Sequence, residues 1–223
     1  MTSIIIASNK KSSGKTSLAT VLCNYISSKK LKVSVLGSFF ENDHSKVSDK
    51  LGIDVIYNKS TSSKDLSPKD IEIISGEIKN NSKENILISE SHVNDSKINI
   101  EIAKKSNSKI LYVANINEDI ESIIKHYGEY LGGIIFNKIP RYRYEETVEK
   151  YKKNPFFGFI PDNRYSISNT IDQFAQHLGG EYVFDSSKKN ELILNVLIGG
   201  IVLDWSVHYY SSKESVLAVI RGD

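Results

Sequence analysis

The chain has 223 residues, a formal net charge of +2, 25% charged and 39% hydrophobic residues, the balance of a globular protein with one or two domains and a real core. Nothing in that balance calls for nucleic acid or a membrane, and no stretch approaches the roughly 20 apolar residues that span a bilayer. The single cysteine, Cys23, rules out an internal disulfide, and Met1 leads straight into an apolar run with no signal-peptide pattern, so a reducing, cytoplasmic setting is expected.

In chain order, Ser3–Ala7 is a short β-branched apolar run that reads as a strand, followed directly by a glycine-containing loop. Residues Lys15–Ser28 then carry Leu18, Val21, Leu22, Tyr25 and Ile26 at helical spacing. A second strand is expected over Lys32–Gly37. The polar stretch from Glu41 to Ser67 is expected to be loop-rich with one short helix. Pro68 suits the start of a helix over Lys69–Lys79, striped by Ile71, Ile74 and Ile78.

Three further apolar runs, Asn85–Ser89, Lys109–Ala114 and Gly133–Asn137, are separated by helical or polar segments, with a crossover helix expected over Asn117–Leu131. Near-continuous apolar strands of this kind are buried on both faces, as parallel strands between helices are. With another strand at Phe157–Ile160, the alternation predicts an α/β fold built on a doubly wound parallel sheet.

The character changes near Tyr165. A helix over Ser168–Leu178 ending at Gly179-Gly180, a strand over Glu181–Phe184, an apolar run Leu192–Leu203, a helix around Asp204–Tyr210 and a strand over Ser215–Ile220 are expected to form a smaller α/β portion. The expected division is 1–164 and 165–223.

Chemistry centres on residues 8–17, Ser-Asn-Lys-Lys-Ser-Ser-Gly-Lys-Thr-Ser. A loop joining a strand to a helix N-terminus aims backbone N–H groups and the helix dipole at a polyphosphate. The run matches G-x-x-x-x-G-K-[ST] except that Asn9 replaces the first glycine. Asn9, Lys10, Lys11, Ser12, Ser13, Gly14, Lys15, Thr16 and Ser17 are therefore assigned to the nucleotide. Gly14 permits close approach, Lys15 reaches the β- and γ-phosphates and acts in any phosphoryl chemistry, and Thr16 offers its hydroxyl to magnesium. The cofactors expected are ATP and Mg2+.

Lys10 stands four residues before Gly14, where ATPases with a deviant loop place a lysine that reaches a partner subunit's phosphate. It is read first as a solvated charge beside Lys11. Glu90, at the end of the Ile86–Ser89 run, is the candidate carboxylate for magnesium or its water. Asp43, with Glu41, is a weaker metal candidate. Asn137 and Lys138 close a strand where an amide could read the base, or they form a simple strand-end turn. His44, His92, His126, His177 and His208 show no metal-ligand spacing.

These residues resemble a known family. Ile4–Ser17 is similar to the loop of dethiobiotin synthetase-like ATPases, especially the N-terminal domain of the longer phosphotransacetylases. Ile88-Ser89-Glu90-Ser91, Gly133–Pro140 and Phe157–Arg164 resemble further segments of that domain in the same order, and Thr170–Glu181 with Asn195–Gly200 resembles the opening of the DRTGG domain that follows it. Two departures stand out. The Lys-Pro pair of true dethiobiotin synthetases is replaced by Leu36-Gly37-Ser38-Phe39-Phe40, and the chain stops at Asp223, where a DRTGG domain continues. A partial DRTGG domain is expected, in a piece of a longer protein or a short natural form.

The resemblance implies a regulatory or sensory ATP·Mg-binding module with slow hydrolysis, a homodimer, and a protein partner engaged through the C-terminal portion. The alternative is an ATP-dependent ligase that activates a carboxylate or carbamate, as dethiobiotin and cobyrinic acid diamide synthetases do. A partition-type ATPase that dimerises around ATP is the third reading, and Lys10 is its one support.

Overall fold

In the computed structural model, residues 2–37, 54–57, 66–91, 95–163, 165, 168–183, 187–199, 208, 211, 212 and 215–220 are described. The apolar run at the N-terminus forms β1 (Ser3–Ala7), and helix α1 (Lys15–Ser28) follows the loop. Strands β2 (Val33–Gly37) and β3 (Asp54–Tyr57) come next. β3 adds a strand to the stretch between Glu41 and Ser67, expected to be loop-rich with one short helix; residues 41–53 and 58–65 lie outside the described residues. Its four residues, Asp-Val-Ile-Tyr, are too few to stand out in a polar stretch, and pairing with Ser34–Gly37 of β2 makes them a strand.

Helix α2 (Pro68–Asn81) opens on a capping box. The Ser67 hydroxyl takes the Asp70 N–H, the Asp70 carboxylate takes the Ser67 N–H, and Pro68 sits in the first turn. β4 (Ile86–Glu90) leads to α3 (Ser96–Ser106), capped by Asp95 and closed by Asn107 at φ 54°. β5 (Lys109–Ala114) is followed by α4 (Ile120–Tyr127), which is shorter than the helix expected over Asn117–Leu131. The Asp119 side chain caps its start and Gly128, at φ 53°, ends it, while Leu131 already belongs to β6 (Leu131–Ile139). Then come α5 (Tyr144–Tyr151) and β7 (Phe157–Pro161).

The seven strands run in the order β3-β2-β4-β1-β5-β6-β7, and every pairing is parallel. Side-chain alternation explains why both faces are covered. Ile5, Ala7, Leu87, Ile110 and Tyr112 join Ile74 and Ile78 of α2, Ala103 of α3 and Ile123 of α4 in one cluster. Ile6, Val35, Ile88 and Val113 point the other way, onto Leu18, Ala19 and Cys23 of α1. Each isoleucine buried this way contributes roughly 1.5–3 kcal/mol relative to exposure. Because β1 has β4 on one side and β5 on the other, the chain changes direction there, and in open parallel sheets ligands bind at the carboxyl ends of the strands at such a switch point. The loop of residues 8–14 lies at that switch point.

The chain divides into two compact units, Met1–Asp162 and Asn163–Asp223. The smaller one has helix α6 (Ile171–Leu178), with a Thr170–Gln173 capping box and Gly179 at φ 65°, and a parallel pair, β8 (Asn195–Gly199) and β9 (Val216–Ile220). The strand expected over Glu181–Phe184 is not found over residues 181–183. There the Tyr182 hydroxyl donates to Asp172 of α6 at 3.2 Å, and the ring lies under the Lys189 ammonium, so side-chain contacts rather than strand pairing fix the segment. The helix expected around Asp204–Tyr210 falls almost wholly outside the described residues. Among the described residues no helix is long and apolar enough to cross a membrane.

Candidate functional site

The loop folds on its own hydroxyls. Ser8, buried at the end of β1, donates its Oγ proton to the Lys10 carbonyl at 2.8 Å and accepts from Ser13 Oγ at 2.8 Å. It also accepts from the Lys15 ammonium at 3.2 Å. The left-handed backbone angles fall at Ser12 (φ 54°) and Gly14 (φ 94°). Asn9, which replaces the glycine of the usual pattern, is not among the positive-φ residues, so the substitution carries no backbone strain.

Gly14 is needed twice over. Its φ lies where side chains are disfavoured, and a Cβ there would run into the Asn137 amide nitrogen. That nitrogen donates to the Ser13 carbonyl at 2.8 Å, and the Lys138 ammonium donates to the Ser12 carbonyl at 2.8 Å. Asn137 Oδ1 accepts from the Lys138 N–H at 2.9 Å. The end of β6 thus clasps the loop from the side, with Lys138 itself at φ 56°.

Helix α1 starts after Gly14 with no side-chain cap and no acidic residue in its first turn. The positive end of its dipole faces the loop, and the carboxylate that meets this turn comes from β4 rather than from the helix itself. Thr16, in that first turn, donates its hydroxyl to Glu90 Oε1 at 2.9 Å and Oε2 at 3.0 Å. Glu90 reaches this point because β4 pairs in register with β1, Ile6 opposite Glu90, and the Ser91 N–H closes on the Ile6 carbonyl at 2.9 Å. Burial lowers the Lys15 pKa, and the Glu90 charge opposes that shift.

Gly14, Lys15, Thr16, Glu90, Asn137 and Lys138 thus converge from three separate segments. Lys10, Lys11 and Ser17 are exposed on the loop and the first turn. Asp43 and Glu41, together with Ser38, His44 and His92, lie outside the described residues. Among the described residues no group of three or more His, Cys, Asp and Glu gathers as a metal cluster.

Tyr112 and Glu118 were not singled out from the sequence, and Ser8, though part of the loop, was given no role. The Tyr112 hydroxyl accepts from the Asn9 N–H at 3.1 Å and donates to Glu118 Oε2 at 2.7 Å, while Glu118 Oε1 accepts from the Asn115 N–H at 2.9 Å. In sequence Tyr112 is one aromatic in an apolar strand, and nothing local ties it to a loop more than a hundred residues away. Ser8 occupies a place that the motif leaves unspecified.

The all-parallel sheet with its loop at the switch point is a P-loop NTPase fold. Hydrogenase maturation factor HypB from Archaeoglobus fulgidus is similar with a TM-score of 0.50 and 20% identity, over 72% of this chain and 80% of that one. A plasmid partition protein from Borrelia burgdorferi is similar with a TM-score of 0.51 and 14% identity, over 71% and 89%. At these identities the likeness is one of fold. No protein-family model and no curated protein matches the sequence.

Proposed function

We propose that the chain binds ATP with magnesium at residues 8–17 and works as a regulatory nucleotide-binding module. The observation that carries this reading is the bond from Thr16 to both oxygens of Glu90, beside Lys15 and an uncapped helix N-terminus. A hydroxyl and a carboxylate at one point form an oxygen donor pair of the kind magnesium takes, so the residues fit the ion. Magnesium, when bound, would neutralise charge on the phosphate oxygens.

The chain's own residues have separable tasks in this reading. Lys15 would leave Ser8 for the β- and γ-phosphates, the N–H groups of Ser13 to Thr16 would orient the polyphosphate, and Glu90 would hold the metal or polarise the attacking water for slow hydrolysis. Asn137 reads the base, exchanging its bond to the Ser13 carbonyl for the purine edge. Lys138 keeps the outer turn of the loop in place.

The ordered resemblance to dethiobiotin synthetase-like ATPases and to phosphotransacetylase N-terminal domains supports residues 1–164 as the nucleotide-binding domain. Residues 165–223, read as a partial DRTGG domain, would pass the bound state to a partner or to the second subunit of a homodimer. Exposed Val196, Ile198 and Val219 on β8 and β9 support a surface that meets another protein.

Calorimetric titration with ATP, ADP and GTP, run beside phosphate release with and without diaminopelargonic acid and bicarbonate, tests the reading. Tight magnesium-dependent ATP binding without substrate-stimulated turnover is the expected result. Strong stimulation would overturn the module in favour of a ligase.

A further inference from the structure

The start of the phosphate loop is held by a relay of groups outside the loop. The Asn9 N–H points to the Tyr112 hydroxyl at 3.1 Å, and that hydroxyl gives its only proton to Glu118 Oε2 at 2.7 Å. The second oxygen of Glu118 accepts from the Asn115 N–H at 2.9 Å. Proton bookkeeping fixes every direction. An ionised Glu118 only accepts, so Tyr112 must donate to it, which leaves a phenol lone pair for the Asn9 N–H.

The phenol cannot swing away. Tyr112 is fully buried on β5, opposite Ala7 of β1, and its ring packs against Tyr127 with centroids 5.4 Å apart. Burial, with Glu118 beside it, holds the hydroxyl well above the usual tyrosine range, so it stays protonated. Ser8, immediately before Asn9, is tied to the Lys10 carbonyl. The rising arm of the loop is thus pinned at consecutive residues, one bond internal and one supplied by β5, at the position where the usual pattern has glycine.

We propose that Tyr112, oriented by Glu118, is a positioning residue for nucleotide binding, anchoring Asn9 so that the loop is preformed for the polyphosphate. The inference rests on the nucleotide reading of residues 8–17. A preformed loop binds without first paying the entropy of ordering, so loosening its first arm weakens affinity although Tyr112 touches no ligand.

The test compares the wild type with Tyr112→Phe, Glu118→Gln and the double variant, using ATP·Mg titration and the amide resonance of Asn9 in the nucleotide-free, 15N-labelled protein. Tyr112→Phe keeps the ring and removes the hydroxyl, which is both the acceptor for Asn9 and the donor to Glu118. Its expected affinity is about tenfold weaker, the scale of one lost hydrogen bond. The Asn9 amide proton is expected to move upfield and exchange faster. Glutamine at 118 has one acceptor oxygen where two are needed, so Glu118→Gln should weaken binding to a smaller degree. The double variant should match Tyr112→Phe alone, since both changes cut one relay.

An unmoved Asn9 resonance, affinity within about twofold of the wild type in Tyr112→Phe, or effects of the two changes that simply add would each overturn the proposal. Binding that Lys15→Ala abolishes but Tyr112→Phe leaves intact contradicts this proposal alone. A wild type that binds no triphosphate contradicts the nucleotide reading as well.

Discussion

The Thr16 hydroxyl bonds to both carboxylate oxygens of Glu90, at 2.9 and 3.0 Å, joining the first turn of α1 to the end of β4 across 74 positions of sequence. Parallel register between β1 and β4 sets that distance, so the sheet itself builds the pairing. Thr16→Ala and Glu90→Gln are expected to weaken the same property by different routes. Alanine removes an oxygen donor, whereas glutamine keeps an acceptor for Thr16 and removes the charge. Both should lose the magnesium-dependent part of ATP affinity, by about tenfold or more for a bond to a charged group. Titration in magnesium and in EDTA checks this, and variants that still respond to magnesium as the wild type does would contradict it.

Gly14→Ala should damage loop and clasp together. Alanine at φ 94° costs about 1–2 kcal/mol in backbone energy, and its Cβ would displace the Asn137 amide from the Ser13 carbonyl. Urea denaturation is expected to show lower stability, and the same variant should not bind ATP. Unchanged stability would mean that the loop relaxes without Asn137.

The site was partly legible in the sequence because its central pieces are contiguous. The run Ser3–Ala7, Gly14-Lys15-Thr16 and the α1 stripe announce strand, loop and helix within one window, and Glu90 and Asn137 end apolar runs that read as parallel strands. Tyr112 and Glu118 were not legible, since their role depends on β5 lying beside β1. β3 escaped because four residues carry little periodicity and its identity as a strand comes from pairing with β2. The strand expected over Glu181–Phe184 failed in the opposite sense. Its aromatic and β-branched residues favour a strand, yet Tyr182 is engaged by Asp172 and Lys189 instead.

Phe136 is the aromatic hub of the far side of the sheet, stacked on Tyr151 at 4.8 Å and on Phe159 at 5.7 Å. Phe136→Ala should cost about 3–5 kcal/mol of stability through the cavity it leaves. Because β6 also presents Asn137 and Lys138 to the loop, weaker ATP binding is expected to accompany the loss. Chemical denaturation with and without ATP measures both effects.

Cys23 is buried in the α1 face of the core, and burial pushes its thiol up to about 12 from an ordinary 9.0. The native state therefore keeps its proton at pH values where the unfolded chain has lost it. This contribution is intact below about pH 9 and declines as pH rises toward 12. Stability measured by denaturation should fall over that window, and Cys23→Ala should flatten the fall. A thiol reagent at neutral pH should modify Cys23 only after unfolding.

The central claim is that residues 8–17 bind a nucleoside triphosphate through Lys15, and the most direct measurement is ATP·Mg titration of the wild type against Lys15→Ala. Saturable binding by the wild type, reduced by about tenfold or more in the variant, is the predicted result. Equal affinity in the two proteins, or no binding by either, would contradict it.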